Sequence, residues 1–118
     1  MKISRIRELL EADVLCGEDN LDRDVSSVFG SDLMSDVLAF ATDHAVLLTG
    51  LLNPQVIRTA VMMDMVCIIF VRSKTPGDEI VSLAKESGIV VLSTDMTMYT
   101  ASGKMYSNGL VNDTRIGQ

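Results

Sequence analysis

The sequence predicts an α/β fold: a three-layer α/β/α sandwich around a mostly parallel sheet of four to five strands. Apolar runs near residues 25, 46, 67 and 89 recur about every 21 residues, with a helical pattern between each pair. This spacing is typical of right-handed βαβ units, in which consecutive strands lie parallel and helices cover the sheet. The run at 65–71 is β-branched and apolar throughout, as expected for a central strand that is buried on both faces.

The stretch at 45–54 contains the repeating unit in its clearest form. Its apolar run predicts a buried strand, and Gly50 marks the exit of that strand. Asn53 and Pro54 are suited to cap and begin the helix that follows. The rest of the chain is predicted to repeat this strand-loop-helix arrangement.

The other elements follow from apolar side chains at helical spacing and from short apolar runs that end at turn residues. Ser31 or Asp32 is suited to cap the second helix, and Gly88 is the expected C-terminal cap of the fourth. The predicted helices span residues 3–12, 33–41, 54–63, 76–88 and 96–108, and the predicted strands span residues 13–16, 24–30, 45–49, 65–71 and 89–92.

Length and charge limit the classes of function. The 118 residues predict a single domain at 1–110 and a loose tail at 111–118. Ten basic against sixteen acidic residues give a formal charge of −6, which disfavours nucleic acid and anionic membranes as partners. The charged start of the chain is unlike a signal peptide, and Asp64 interrupts the longest apolar region before it could span a bilayer. The expected location is therefore cytoplasmic.

No constellation of residues predicts catalysis, a metal site or a cofactor. Cys16 and Cys67 are too few for a disulfide framework and have no zinc-ligand spacing with His44. Asp32 and Asp36 are predicted to share a helical face, but without a nearby histidine or third carboxylate they form only a weak metal or acid–base pair. The glycine-rich motifs that bind nucleotide phosphates are missing as well.

The loops that follow the parallel strands form the predicted binding site. In such sheets, ligands lie in the crevice outside the carboxyl ends of the strands. The loops there offer hydroxyl groups and backbone N–H groups near helix N-termini, which suits an anionic or phosphate-bearing ligand. In the alternative interpretation, these residues only make turns, cap helices and carry solvated charges. The candidate ligand-binding residues are Ser31, Asp32, Thr49, Gly50, Asn53, Arg72 and Lys74.

Methionines cluster at 62–65 and 96–105. Because methionine fits irregular gaps, ordinary core filling is one interpretation of these clusters. The other interpretation is an adaptable surface for a second copy of the chain or for a partner protein.

Three segments resemble the DRTGG domain family: GSDLMSDVLA at 30–39, LLTGL at 47–51 and IIFVRSKTP at 68–76. The resemblance extends from about residue 3 to residue 110. No contiguous Asp-Arg-Thr-Gly-Gly string occurs, and only Thr49 and Gly50 stand at the corresponding strand exit. Domains of this family are similar in fold to the N-terminal domain of HPr kinase/phosphorylase, and they occur beside CBS domains in regulated pyrophosphatases and in phosphotransacetylase-like proteins.

The resemblance implies a regulatory or dimerising domain without catalytic activity. We therefore predict a homodimeric domain that binds a nucleotide or another phosphorylated effector at the strand ends, without a cofactor. The alternative is a protein-interaction subunit or adaptor of a larger metabolic or redox enzyme, acting through the methionine-rich helices. A phosphatase- or transferase-like enzyme is a third interpretation, but the base, nucleophile or metal cluster that it requires is missing from the sequence.

Overall fold

The computed structural model describes residues 1–42 and 44–111. In this part of the chain, five α-helices and five β-strands follow one another, and a short 3-10 helix at Glu18–Asn20 comes after the first strand. The helices are α1 (Ile3–Leu10), α2 (Met34–Phe40), α3 (Gln55–Met62), α4 (Asp78–Glu86) and α5 (Met98–Ser107). The strands are β1 (Asp13–Cys16), β2 (Val28–Gly30), β3 (Val46–Thr49), β4 (Cys67–Phe70) and β5 (Val90–Ser93).

The five strands form one sheet in the order β1-β5-β4-β3-β2. Strands β2, β3, β4 and β5 are parallel, and β1 pairs with β5 in the antiparallel direction at one edge. The prediction of a mostly parallel sheet is confirmed, and the antiparallel strand β1 makes the sheet mixed. Each parallel pair is joined by a helix, because parallel neighbours need a crossover connection.

Helices cover both faces of the sheet, so the predicted three layers are confirmed. Alternate side chains of each strand point to opposite faces: Val46 and Leu48 contribute to one core and Leu47 to the other. Helices α1 and α5 pack on the first face, and α2, α3 and α4 pack on the second. Every residue of β3 and β4 is buried, which explains why both strands are continuous apolar runs.

The predicted cap of the second helix is wrong. Helix α2 has Leu33 at its N-cap position, with no side-chain capping bond. The Ser31 hydroxyl instead accepts a hydrogen bond from the N–H of Leu33 (3.0 Å), and the Asp32 carboxylate turns toward the end of β3. The shared helical face predicted for Asp32 and Asp36 is wrong for the same reason, since Asp32 precedes the helix.

Among the other element boundaries that differ from prediction, those of β2 and α5 are explained by specific hydrogen bonds. Strand β2 is shorter than 24–30 because its predicted beginning pairs with the N-terminus, where the N–H of Val25 donates to the carbonyl of Met1 (2.8 Å). Helix α5 begins later than predicted because Thr97 caps it, its hydroxyl accepting from the N–H of Thr100 (3.3 Å). Both differences arise from hydrogen bonds that apolar periodicity does not record.

Seven of the eight methionines are buried in the two cores or packed against them, which agrees with the interpretation as core filling. Met34, Met65 and Met105 are buried, whereas Met62 is 71% exposed on α3. The predicted tail at 111–118 lies outside the described residues apart from Val111. None of the helices at 1–42 and 44–111 is long and apolar enough to cross a membrane.

Candidate ligand site at the strand ends

Four of the predicted residues meet at the carboxyl ends of β2, β3 and β4, which are neighbours in the sheet. Asp32 follows β2, Thr49 and Gly50 end β3, and Arg72 follows β4. The Oδ1 atom of Asp32 accepts hydrogen bonds from the N–H of Gly50 (2.7 Å) and from the hydroxyl of Thr49 (3.1 Å). We call Asp32, Thr49, Gly50 and Arg72 the strand-end cluster.

Arg72 completes the cluster by turning back over the end of β3. Its Nη2 atom lies 3.6 Å from Oδ2 of Asp32, and its guanidinium lies across the α-carbon of Gly50. Both charged side chains are 47% exposed. The site therefore presents a carboxylate and a guanidinium side by side to solvent.

The orientation of Arg72 depends on an unusual backbone turn. Arg72 and Ser73 both adopt left-handed backbone angles, with φ of 60° and 58°. Such angles are costly for residues other than glycine and persist where the surroundings hold them in place. Here the N–H of Arg72 donates to the carbonyl of Met96 (2.8 Å), and the N–H of Ser73 donates to that of Thr94 (3.0 Å).

Side chains reinforce the same turn. The hydroxyl of Ser73 donates to the carboxylate of Asp95 (2.8 Å), and the hydroxyl of Ser93 donates to the carbonyl of Lys74 (3.1 Å). The loop after β5 was predicted to offer ligand contacts, but its hydrogen bonds hold the Arg72 turn in place. Its signal in the sequence was the density of hydroxyl and carboxyl residues after β5.

Three other predicted site residues lie outside the cluster. The hydroxyl of Ser31 is used in its local turn with Leu33. The Asn53 side chain accepts from the N–H of Gln55 (2.9 Å), which confirms its predicted role at the start of α3. Lys74 is exposed, and its ammonium has no ion-pair or hydrogen-bond partner in the part of the chain described.

Large exposed apolar side chains stand next to the cluster in the chain, at positions that are not among the seven predicted site residues. Leu33, next to Asp32, is 57% exposed, and Leu52, two residues beyond Gly50, is 40% exposed. The helical spacing of apolar side chains at 33–41 instead predicts that Leu33 lies on the buried face of a helix. We call these two leucine side chains the apolar border, because they place exposed apolar surface next to the polar cluster in the chain. Small-molecule sites combine apolar and polar groups in this way.

The described residues contain no group of three or more His, Cys, Asp or Glu side chains that could hold a metal ion. Cys16 and Cys67 are both buried and contribute to opposite cores of the sheet. Burial raises the pKa of both thiols, so that neither forms the reactive thiolate near neutral pH. The charged groups that the strand-end cluster presents to solvent are the carboxylate of Asp32 and the guanidinium of Arg72, which act through hydrogen bonds and charge.

The fold is similar to that in a crystal structure of the CBS and DRTGG domains of the regulatory region of Clostridium perfringens pyrophosphatase, complexed with the activator diadenosine tetraphosphate. The TM-score is 0.73 at 21% identity, and the alignment covers 88% of this chain. It covers 45% of that chain, so this protein spans less than half of its length. At this identity the likeness concerns the fold alone. A search among curated proteins found no significant sequence match.

The sequence model of the DRTGG domain matches residues 5–107, a range that includes the whole strand-end cluster. The family expected from the sequence is thereby confirmed. The structure also brings an aspartate, an arginine, a threonine and a glycine together from separate loops, although no contiguous string contains them. The chain belongs to the DRTGG domain family.

Proposed function

We propose that this protein is a non-catalytic regulatory domain that binds a nucleotide or another small phosphorylated effector at the strand-end cluster. The observation that carries the proposal is the half-exposed guanidinium of Arg72, held beside Asp32 where three parallel strands end. Such crevices are the usual ligand sites of open α/β sheets, and arginine is well suited to phosphate. We place the domain in the cytoplasm.

Family membership and fold similarity support a regulatory role. The similar pyrophosphatase fragment belongs to a regulatory region and was crystallised with a nucleotide activator. We extend to this chain only the general idea that a domain of this fold takes part in effector-dependent regulation. The strand-end cluster then supplies the local chemistry, because a fold by itself does not define a ligand.

Thermal shift measurements with a panel of nucleotides and sugar phosphates test this proposal. A ligand that binds only the folded state raises the melting temperature, and its affinity is then measured by calorimetry. We expect Arg72→Ala with Lys74→Ala to weaken the binding at least about tenfold, a loss of about 1.4 kcal/mol. Arg23→Ala with Lys104→Ala is the control, because it also removes two positive charges, from exposed positions outside the cluster. Unchanged affinity in the double variant would falsify the proposal.

A second candidate function rests on an apolar groove between α3 and α4. The groove has a volume of about 230 Å³, and Met62, 71% exposed, lies on its border. A groove of this kind suits either a second copy of the chain, which the family resemblance implies, or a larger metabolic or redox enzyme. Its lining residues are Ile57, Arg58, Val61, Met62, Leu83 and Ser87.

Native mass spectrometry separates the two uses of the groove. We expect a homodimer that Met62→Glu converts to monomer, because a charge in a desolvated apolar contact is costly. Tyr99→Glu is the control, since Tyr99 is 89% exposed on α5, in the opposite helical layer. If the unmodified protein is a monomer that binds a partner protein in stoichiometric amounts through the groove, the result would favour the interaction-subunit alternative instead.

A further inference from the structure

We infer that the strand-end cluster recognises a ribonucleotide through a ribose hydroxyl as well as through its phosphate. In this arrangement Oδ2 of Asp32 accepts a hydrogen bond from the ribose, while the guanidinium of Arg72 binds the phosphate. The inference rests on the proposed function and narrows it, because it distinguishes a nucleotide from a bare anion.

The donors that a bare phosphate would use are already occupied. The N–H of Gly50 and the hydroxyl of Thr49 both donate to Oδ1 of Asp32, at 2.7 Å and 3.1 Å. A carboxylate thus takes the place that an anion would otherwise occupy at this strand end. A phosphate that approached Arg72 would meet the negative charge of Asp32, whose Oδ2 lies 3.6 Å from Nη2.

Two groups of the cluster are left with capacity for a ligand. Oδ1 already accepts two hydrogen bonds, whereas Oδ2 faces the guanidinium at a distance longer than a hydrogen bond. The guanidinium carries five N–H donors, and its only ionic partner in the described chain is Asp32. The complementary ligand therefore brings a hydroxyl donor and an anionic acceptor close together, as a ribose phosphate does.

Part of this geometry is set before a ligand arrives. Two hydrogen bonds hold the Asp32 carboxylate, and the left-handed turn at Arg72 directs its side chain over Gly50. A site whose side chains are already ordered loses less conformational entropy on binding. A carboxylate that accepts from a ribose hydroxyl is also a known solution in other nucleotide-binding α/β folds.

The apolar border favours a nucleotide over a sugar phosphate without a base. Leu33 and Leu52 are 57% and 40% exposed on either side of the cluster in the chain, next to Asp32 and just beyond Gly50. A planar base that covers part of these side chains removes apolar surface from water. The polar centre and the apolar border thus match the two halves of a nucleoside monophosphate.

Calorimetry with paired ligands tests the inference. The probes are the four common ribonucleoside 5′-monophosphates and their 2′,3′-dideoxy counterparts, which keep the base and the charge but have no ribose hydroxyls. We expect the best ribonucleotide to bind about tenfold more tightly than its dideoxy counterpart, a difference typical of a lost hydrogen bond to a charged group. Asp32→Asn should abolish this tenfold preference, because it removes the acceptor of the ribose hydroxyl, whereas the lost negative charge acts equally on the phosphates of both compounds.

Asp36→Asn is the control, because it makes the same chemical change in the first turn of α2, outside the cluster. Circular dichroism establishes that both variants fold. The inference is overturned if the unmodified protein binds both ligands of a pair equally well and Asp32→Asn binds both more tightly. Asp32 would then compete with the phosphate of the ligand for Arg72. The proposed function survives that result. If neither ligand of any pair binds to the unmodified protein, the proposed function itself fails for nucleotides.

Discussion

The guanidinium of Arg72 lies directly over the α-carbon of Gly50. A β-carbon at position 50 would overlap Nη2 of Arg72 and lie 2.8 Å from Cζ. The φ of Gly50 is outside the left-handed region, so its backbone is open to other residues. Glycine is therefore needed at position 50 for the close approach of an arginine side chain.

Gly50→Ala is expected to move Arg72 without unfolding the protein. The flexible side chain can rotate away, and its half-exposed pair with Asp32 contributes at most about 1 kcal/mol. The measurements are the free energy of unfolding in urea and the NMR resonance of the Arg72 Nε–H group. Gly103→Ala is the control, because no atom lies within 4 Å of the added β-carbon and alanine favours the helix by about 1 kcal/mol. An unshifted Arg72 resonance in Gly50→Ala would contradict the prediction.

Replacement of Arg72 by glycine is expected to destabilise the fold less than replacement by alanine. Both variants lose the guanidinium, but only glycine adopts a φ of 60° without steric cost, so the difference should be about 1 kcal/mol. The pair Arg58→Gly and Arg58→Ala should give the opposite order, because Arg58 lies inside α3, where glycine is disfavoured by a similar amount. Urea unfolding of the four variants measures both differences. The same order at the two positions would show that backbone strain at Arg72 is negligible.

The sequence was sufficient to predict the layers of the fold because they depend on local periodicity. The runs at β3 and β4 are apolar on both faces, which requires helices on both sides, and the helical pattern between them predicts the crossover connection α3. The antiparallel β1 was harder to predict. Its pairing with β5 joins segments far apart in the chain, and periodicity within a segment does not encode such pairing.

The sequence predicts which region of the sheet contains the site, but it does not predict how the side chains of the site are arranged. Parallel strand order brings Thr49 and Arg72 to one edge, as expected from the sequence. The capping propensity of aspartate predicted that Asp32 would bond to its own helix, whereas it bonds across to the N–H of Gly50. Tertiary hydrogen bonds determine where the Asp32 side chain lies. They also hold the left-handed turn at Arg72, which the sequence does not indicate because no glycine stands at that position.

Two buried threonines are expected to respond in opposite directions to the same substitution. The Thr94 hydroxyl donates to the carbonyl of Leu10 (2.7 Å) and accepts from the N–H of Met96 (3.3 Å), so Thr94→Val should cost about 1–3 kcal/mol. The Thr59 hydroxyl is also buried but has no hydrogen-bond partner among the described residues. Thr59→Val should therefore be neutral or stabilise the fold by about 1 kcal/mol, since it removes an unpaired buried polar group. Equilibrium urea unfolding measures both changes, and a shared sign would refute this account of the two hydroxyls.

The stability of the fold is expected to fall above pH 9, and Cys67 should account for part of the fall. Burial raises the pKa of the Cys67 thiol above its ordinary value of 9.0. Below that value the thiol is protonated in both the folded and the unfolded chain, so its titration has no effect on stability. Above it, the unfolded chain loses the proton while the folded chain keeps it, and the free energy of unfolding decreases by about 1.4 kcal/mol per pH unit for this thiol.

Cys67→Ala should remove this contribution to the slope between pH 9 and pH 10.5, whatever the variant does to stability at neutral pH. The measurement is the free energy of unfolding in urea at several pH values, compared between the variant and the unmodified protein so that lysine and tyrosine titrations cancel. Cys16→Ala gives a second comparison, because burial raises the pKa of that thiol as well. If the slopes of Cys67→Ala and the unmodified protein were equal, the Cys67 thiolate would have to form inside the folded core, which its complete burial beneath α1 and α5 opposes.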